Sequence, residues 1–196
     1  ASMAASRETE IKLPVPRLSA IRRKLKSRGF RVLVPRRFES NWLFDFPDKR
    51  LRKSRSLLRL RFVDGECLLT FKGPPLASRL YKVRVETETP LADGEAARQI
   101  FRGLGLREAF RYDKHRTTYA RRGDRRSGHR PLVELDETPI GNFLELEGPA
   151  TWIDAVARDL DYQRSDYVTA SYAALYFDDC RRKHRRPQNM VFAGRR

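Results

Sequence analysis

Charged and apolar side chains alternate with a period of two in several short segments of the chain, a pattern typical of β-strands with one buried face. These segments are residues 7–13, 57–63, 67–72, 81–88, 111–121, 132–137 and 142–147, with a shorter candidate at 41–46. Asp64-Gly65 separates the second segment from the third, and residues 138–141 separate the last two. Both connections are typical of β-hairpins, so the pattern predicts a structure with more strand than helix.

Four other segments have apolar residues at helical spacing. They are residues 17–28, 94–103, 151–160 and 168–177. Gly29 is expected to end the first helix and Asp93 to cap the second, while Pro14 is expected to end the first strand. No internal repeat or long Gly/Ser linker divides the chain, so we predict one α+β domain. We place it at residues 7–180, between an N-terminal extension (1–6, with Ala1-Ser2 an expected addition before Met3) and a basic C-terminal tail (181–196).

The charged positions of the predicted strands carry like charges two residues apart. Since strand residues two apart point to the same face, each pair shares one side of the sheet. The pairs are Glu8/Glu10, Arg59/Arg61, Glu86/Glu88, Glu134/Asp136, Glu145/Glu147 and Lys114/Arg116, joined by Lys12, Lys72 and Arg84. Intervening positions such as Ile11, Val133 and Leu144 are apolar. We therefore expect the apolar face to pack against the helices and the charged face to point elsewhere.

An ordinary sheet with one face in water does not explain this charge pattern. At an effective dielectric constant of about 20, each close pair of like charges costs on the order of a few kcal/mol. A ligand that brings both cations and phosphates removes the repulsion, because carboxylates bind Mg²⁺ or Mn²⁺ and Lys or Arg bind phosphate oxygens. If the sheet closes into a barrel, these residues line its interior.

The overall charge also favours anionic partners. The chain has 196 residues, 34% of them charged, and a formal net charge of +17. Residues 12–37 and 181–196 are rich in Lys and Arg and contain no acid. Two interpretations stay open for these segments: solvated surface with a frayed tail, or recruitment of nucleic acid or polyphosphate.

Several classes of protein are not expected from the composition. Cys67 and Cys180 suit neither a zinc cluster nor a disulfide framework and are expected to be buried thiols. No apolar run has the length of a membrane span, and no signal peptide is apparent. We therefore expect a cytoplasmic protein without a membrane partner. His115 is expected on the outer face, His129 at the surface, and Trp42 either in an aromatic core or stacked on a ligand ring.

The first strand carries a motif that resembles a known family. Residues 8–12 read E-T-E-I-K, which resembles the ExExK signature of the CYTH domain, also called the triphosphate tunnel metalloenzyme superfamily. Motifs that resemble the family follow in the same order: L-R-L-R at 58–61, T-F-K-G-P at 70–74, R-V-E-T-E at 84–88, K-H-R at 114–116, E-L-D-E at 134–137, F-L-E-L-E at 143–147 and S-Y at 171–172. The resemblance implies an eight-stranded antiparallel β-barrel, the triphosphate tunnel, with helices packed on its outer surface.

The resemblance also implies roles for individual residues. The implied triphosphate cradle is Lys12, Arg59, Arg61, Lys72, Arg84, Lys114 and Arg116. The implied metal-side carboxylates are Glu8, Glu10, Glu86, Glu88, Glu134, Asp136, Glu145 and Glu147. Within these sets the catalytic residues are expected to be Glu8, Glu10, Lys12, Glu145 and Glu147. The expected cofactor is Mg²⁺ or Mn²⁺, with two ions supporting in-line attack of water on the terminal phosphorus.

Three alternatives stay open for the activity. Hydrolysis of inorganic triphosphate to pyrophosphate and phosphate is the first expectation, because it needs no base-binding site. A class IV-type adenylate cyclase, or hydrolysis of thiamine triphosphate or a nucleoside triphosphate, is the second. A basic binding protein for polyphosphate or RNA without catalysis is the third, with binding through the tail. The family tendency and an outward apolar face also allow a second copy of the chain as a partner in a homodimer.

Overall fold

The polar and apolar alternation does form eight strands in the computed structural model, which describes residues 6–124 and 130–194. The strands are β1 Ser6–Val15, β2 Phe30–Asp45, β3 Leu57–Val63, β4 Glu66–Lys72, β5 Lys82–Leu91, β6 Arg107–Arg121, β7 Leu132–Thr138 and β8 Gly141–Glu147. The helices are α1 Leu18–Ser27, α2 Arg50–Lys53, α3 Gly94–Gly103, α4 Ala150–Asp159 and α5 Tyr172–Arg182, with a 3₁₀ turn at Arg164–Asp166. His129 and part of the predicted polar loop at 122–128 lie outside the described residues.

The strands close into a barrel in the order β1-β5-β4-β3-β2-β6-β7-β8. Every neighbouring pair is antiparallel, and β1 completes the ring by pairing with both β5 and β8. The expected eight-stranded antiparallel barrel with external helices is therefore confirmed. The β3–β4 hairpin turns through Asp64 and Gly65 with φ values of 49° and 84°, and this left-handed pair matches the right-handed twist of the strands.

The apolar faces of the strands point outward and pack under the helices, as the alternation predicts. On β1, β7 and β8, residues such as Ile11, Leu135 and Leu146 are fully buried together with Leu25 of α1 and Ile153 of α4. A second cluster packs β2, β3 and β4 against α3. The helices thus cover the apolar outer face of the barrel, and the charged residues line its interior.

Several strands are longer than the sequence pattern predicts, β2 most of all. β2 was expected only at 41–46, yet it begins at Phe30 and pairs with β6 along its length. Its ladder has register shifts between Val32 and Val34 and between Val34 and Arg37. Such bulges insert extra residues and break the strict alternation, which explains why the pattern could not be recognised. β1 likewise continues through Pro14 to Val15 instead of ending there.

Helix α5 was expected at residues 168–177 and is observed at Tyr172–Arg182. Extended segments flank it on both sides. Residues before it pair with β1: Val168 and Lys12 exchange two backbone hydrogen bonds of 2.8 and 2.9 Å. Residues after it pair with β6: the Met190 nitrogen donates to the Arg111 carbonyl and the Asp113 nitrogen to the Met190 carbonyl, both at 2.9 Å. The helix is therefore fixed at both ends, on strands β1 and β6.

The expectation of a frayed basic tail is wrong for the described part of that segment. Arg181 and Arg182 still belong to α5, and Met190 is only 1% exposed. Met190 packs in a cluster with Phe110 and Tyr112 of β6 and Tyr172 of α5. Because these contacts supply apolar burial, the segment folds onto the barrel despite its charge.

No helix within residues 6–124 and 130–194 combines the length and apolar character that crossing a membrane would require.

Candidate active site inside the barrel

A cavity of about 1420 Å³ occupies the barrel interior and is lined by ionisable side chains. Its carboxylates include Glu8, Glu10, Glu86, Glu88, Glu134, Glu145 and Glu147. Its cations include Lys12, Arg59, Arg61, Lys72, Lys82, Arg84, Lys114 and Arg116. Fourteen of the fifteen sequence-predicted site residues are in these two sets, and only Asp136 is not. The barrel therefore brings residues from seven strands around one space.

The strand register places opposite charges side by side near the middle of this cavity. Lys12 lies opposite Glu145 in the β1–β8 ladder, and its Nζ is 3.2 Å from that carboxylate and 3.3 Å from Glu10. Burial alone would lower the pKa of Lys12, but the two carboxylates outweigh it and raise the pKa. Burial alone would likewise raise the pKa of Glu145, yet Lys12 and Arg116 hold it well below its ordinary value. These groups are charged at neutral pH.

Asp136 lies beneath the cavity wall and holds two of the cations. It is completely buried, and its carboxylate accepts from Lys114 Nζ at 2.9 Å and from Arg116 Nε and Nη2 at 2.6 Å each. The Tyr172 hydroxyl donates to the same carboxylate at 2.7 Å. With four donors around its oxygens, Asp136 fixes the direction of the Lys114 and Arg116 side chains.

A second group of ion pairs lies where β1, β3, β4 and β5 meet. Lys72 Nζ is 2.7 Å from Glu8 and 2.6 Å from Glu86. Arg59 donates to the Thr70 hydroxyl at 3.1 Å and lies 3.5 Å from Glu88. Each cation is held here by strand neighbours rather than by a flexible loop, so the arrangement is preorganised.

Three carboxyls of the cavity have pKa values above the ordinary value, and burial is the main cause for each. Burial and a hydrogen bond with Glu8 raise the pKa of Glu86 to about 7. Burial raises the pKa of Glu134 to about 7 despite the adjacent Arg116. Burial, followed by the charges of Glu134 and Glu8, raises the pKa of Glu147 to about 9. This part of the cavity would therefore gain from an added cation.

The oxygen donors fit a hard divalent ion in their chemistry. Mg²⁺ and Mn²⁺ prefer carboxylate oxygens and water, and Glu8, Glu86, Glu134 and Glu147 supply carboxyl oxygens at the cavity wall. In the part of the chain that the structure describes, no three His, Cys, Asp or Glu side chains form a group close enough to enclose a metal. Glu8 and Glu86 are turned toward Lys72 instead.

Some residues of the site escaped the sequence analysis. Lys82 lines the cavity beside Glu10, and Glu39, 3% exposed, lies 3.6 Å from Lys114. Tyr112 lines the cavity too, and Tyr172 places its ring 5.1 Å from Lys12 Nζ. Lys82 lies two residues before Arg84 and could have been found by alternation; Glu39 could not, because the start of β2 was missed.

Trp42, which was weighed as a ligand contact, lies outside the barrel, and so does His115. Trp42 alternates with the inward residues of β2 and is stacked between Arg98 and Arg111 at 4.5 and 4.9 Å, so it is not available to a ligand in the cavity. His115 points outward as expected and contacts the rings of Phe38 and Phe192.

The closed barrel and its charge-filled interior define a tunnel-type protein with donors for both phosphate and metal. The family model of the CYTH domain matches residues 6–172, and the chain belongs to this family. A curated protein of Methanocaldococcus jannaschii, provisionally named an adenylate cyclase, is 32% identical over 141 residues, which are 71% of this chain and 75% of the relative.

Solved structures show the same fold. A protein of Pyrococcus horikoshii aligns with a TM-score of 0.73 and 22% identity over 88% of this chain and 99% of the other. A Hippeastrum protein, provisionally named an adenylyl cyclase and described as having a dominant triphosphatase activity, aligns with a TM-score of 0.61 and 20% identity. That alignment covers 88% of this chain and 96% of the other.

Proposed function

We propose that this protein hydrolyses a linear triphosphate with the help of a divalent metal, and that inorganic triphosphate is its first substrate. The observation that carries the proposal is the interleaving of eight buried or partly buried Lys and Arg side chains with seven glutamates around one cavity. A bound triphosphate would pair with the cations, and its metal would pair with cavity carboxylates. The triphosphatase activity described for the Hippeastrum protein supports the same chemistry.

Lys12, Arg59, Lys72, Lys82, Lys114 and Arg116 are proposed as the phosphate cradle. Each of them contacts a carboxylate in the structure, and phosphate oxygens would replace part of those contacts on binding. We assign Asp136 to positioning Lys114 and Arg116, because its oxygens are already occupied by their donors and it does not line the cavity. This replaces the metal role that the family resemblance implies for it.

Glu8, Glu86, Glu134 and Glu147 are proposed to hold the metal. When bound, such an ion would neutralise phosphate charge and lower the pKa of a water molecule. The protein's own contribution is to orient the triphosphate, to offset charge on the bridging oxygen as the bond to the terminal phosphorus breaks, and to exclude bulk water. The carboxyls with raised pKa values would give up protons when the cation arrives.

Adenylate cyclase activity is the second candidate, favoured by the provisional name of the M. jannaschii relative. Cyclisation needs a site for the base and a ribose hydroxyl aligned on the α-phosphorus. The cavity volume exceeds the roughly 300–1,000 Å³ of ordinary small-molecule pockets, so volume does not separate the two substrates. We favour the triphosphate because Trp42, the ring weighed for base stacking, faces outward.

A substrate panel with product identification tests the proposal. Purified protein with Mg²⁺ or Mn²⁺ should release phosphate from triphosphate faster than from ATP, thiamine triphosphate or longer polyphosphate. Equal or faster turnover of ATP, or formation of cyclic AMP with pyrophosphate, would refute the preference for inorganic triphosphate. Glu10→Gln should remove activity, whereas the matched control Glu137→Gln, on the outer face beside Arg22 and Arg36, should retain it.

A further inference from the structure

The hydroxyl of Tyr112 is a polar group of the cavity that has no part in the function proposed above. Tyr112 lies on β6 two residues before Lys114, so both side chains point to the interior of the barrel. It lines the cavity, although only 7% of the residue is exposed. Its ring packs against the rings of Phe110 at 6.2 Å and Tyr172 at 5.8 Å, and these contacts fix the ring in place.

Cations act on the Tyr112 hydroxyl from two strands. Arg59 donates a hydrogen bond to it, and Arg61 and Lys114 are close enough to influence its charge. Guanidinium and ammonium groups carry donors and no acceptor, so none of the three can take the hydroxyl hydrogen. Asn41 lies opposite Tyr112 in the β2–β6 ladder, but both of its amide atoms are buried and have no hydrogen-bond partner within the described residues. The hydroxyl therefore accepts from the protein, while its own hydrogen is available to a ligand in the cavity.

We propose that Tyr112 binds the substrate directly, by donating its hydroxyl hydrogen to a phosphate oxygen of the triphosphate. The inference rests on the proposed function, because it takes a linear triphosphate as the ligand of the cavity. A phosphate oxygen would supply the acceptor that the three cations cannot, while Arg59 continues to donate to the same hydroxyl. A hydrogen bond to a charged oxygen is stronger than one between neutral groups, so the hydroxyl would add to the binding by the cations.

The hydroxyl can donate only as the neutral phenol, because a phenolate has no hydrogen and would repel phosphate. The charged and titratable groups around it are Arg59 and Arg61 of β3, Lys114 of β6, Glu39 of β2, Glu86 and Glu88 of β5, and Tyr172 of α5. Burial alone would raise the pKa of Tyr112, but Arg59, Lys114 and Arg61 outweigh it and lower the pKa. A bound triphosphate brings negative charge to these three cations and should raise the pKa again. Binding would thus favour the protonated hydroxyl at alkaline pH.

The near-ultraviolet absorbance of phenolate follows tyrosine ionisation, and Tyr112 should be the first tyrosine to ionise. The chain has seven tyrosines, all in the described residues, and burial raises the pKa of each of the others. Titration of the wild type should show one phenol ionising below the ordinary value of about 10, and Tyr112→Phe should lack this step. Saturating triphosphate without added metal should move the step to higher pH. A first step that persists in Tyr112→Phe, or that triphosphate does not move, would overturn the proposal.

Titration calorimetry with triphosphate measures what the hydroxyl contributes, because Tyr112→Phe keeps the ring and removes only the oxygen. Affinity at neutral pH should fall roughly 10- to 100-fold, as expected for the loss of one hydrogen bond to a charged group. Tyr119→Phe is the matched control: Tyr119 is on the same strand but packs in the outer apolar cluster, and its loss should leave the affinity unchanged.

The pH dependence of these affinities distinguishes a direct contact from a role in the fold. The advantage of the wild type over Tyr112→Phe should shrink as the pH rises through the ionisation of Tyr112, because a phenolate cannot donate. Lys82, whose pKa burial also lowers, should weaken binding at alkaline pH in both proteins and cancel in their ratio. A ratio that is constant with pH would show that the hydroxyl acts only through the fold and would overturn the proposal, as would equal affinities at neutral pH.

Binding measured without turnover separates this inference from the proposed function. If the wild type binds triphosphate more tightly than Tyr112→Phe but hydrolyses none with Mg²⁺ or Mn²⁺, the proposed function fails and the binding role of Tyr112 stands. If hydrolysis is present and Tyr112→Phe binds like the wild type, the inference fails alone. If the wild type binds no triphosphate, both fail.

Discussion

Replacing Asp136 with asparagine would remove the negative charge that holds Lys114 and Arg116 at the wall of the cavity. The carboxylate accepts from both cations and from Tyr172, and it is fully buried. The amide has nearly the same shape but carries no charge, and its NH₂ group would face a cationic donor. Two buried positive charges would then share the remaining neighbours, chiefly Glu134 and Glu145 for Arg116 and Glu39 for Lys114.

The size of the effect follows from the cost of leaving a buried ion pair broken. Removing one partner of such a pair typically destabilises a protein by about 3–5 kcal/mol. A domain with a total stability of roughly 5–15 kcal/mol would remain folded in most of that range. Because a bound triphosphate returns negative charge to Lys114 and Arg116, saturating triphosphate should recover more stability in the variant than in the wild type.

Denaturant unfolding with and without triphosphate measures the loss of stability and the part of it that the ligand recovers. We expect a loss of about 3 kcal/mol or more without ligand. In turnover, the looser side chains should lower kcat while leaving KM similar, because the cations remain but their direction is no longer fixed. Glu137→Gln is the matched control: its side chain is on the outer face, and the loss should stay below about 1 kcal/mol. A loss below 1 kcal/mol for Asp136→Asn would refute the positioning role.

Four further predictions concern single groups. Arg59→Ala should lower kcat/KM by roughly 100- to 1,000-fold in protein that circular dichroism shows to be folded, and turnover near the wild-type value would remove it from the cradle. Mg²⁺ binding at pH 7 should release protons, because the pKa of Glu147 is raised to about 9 and a cation favours its ionised form. Calorimetry in buffers of different ionisation enthalpy detects this release, and identical heats would contradict it. Without metal, Glu147 should make stability fall as pH rises from about 4.5 to about 9, since the folded state binds the extra proton in that window. Met190→Ala should cost about 2–5 kcal/mol in denaturant unfolding, and a change within error would show that the last described segment is not anchored.

The alternation of side chains determined which charged residues face the interior. Strand geometry has a period of two that depends only on the local backbone, so Glu8, Glu10 and Lys12 had to share one face. The same local logic located Lys114, Arg116 and the two hairpins. Turn chemistry at Asp64-Gly65 is equally local, because only the left-handed backbone of those two residues is required.

The neighbours across the barrel were decided by the tertiary structure alone. Asp136 has the same parity as Glu134, yet it is enclosed by Lys114, Arg116 and Tyr172 and does not reach the cavity. That difference depends on strand register and on where α5 docks, and neither is encoded in a local pattern. Parity assigned Asp136 only to a face of the sheet, and it cannot distinguish a residue at the cavity wall from one behind it.

The ends of several strands and helices were also determined only by the folded structure. The basic run at 181–194 contains too few apolar residues to predict packing, but an unpaired stretch of β6 accepts Met190 by two backbone hydrogen bonds. The start of β2 was hidden because its bulges shift the register, so Glu39 was missed. Sequence therefore determined the faces of the strands, which are local, while long-range pairing decided their length, their partners and the docking of the last segment.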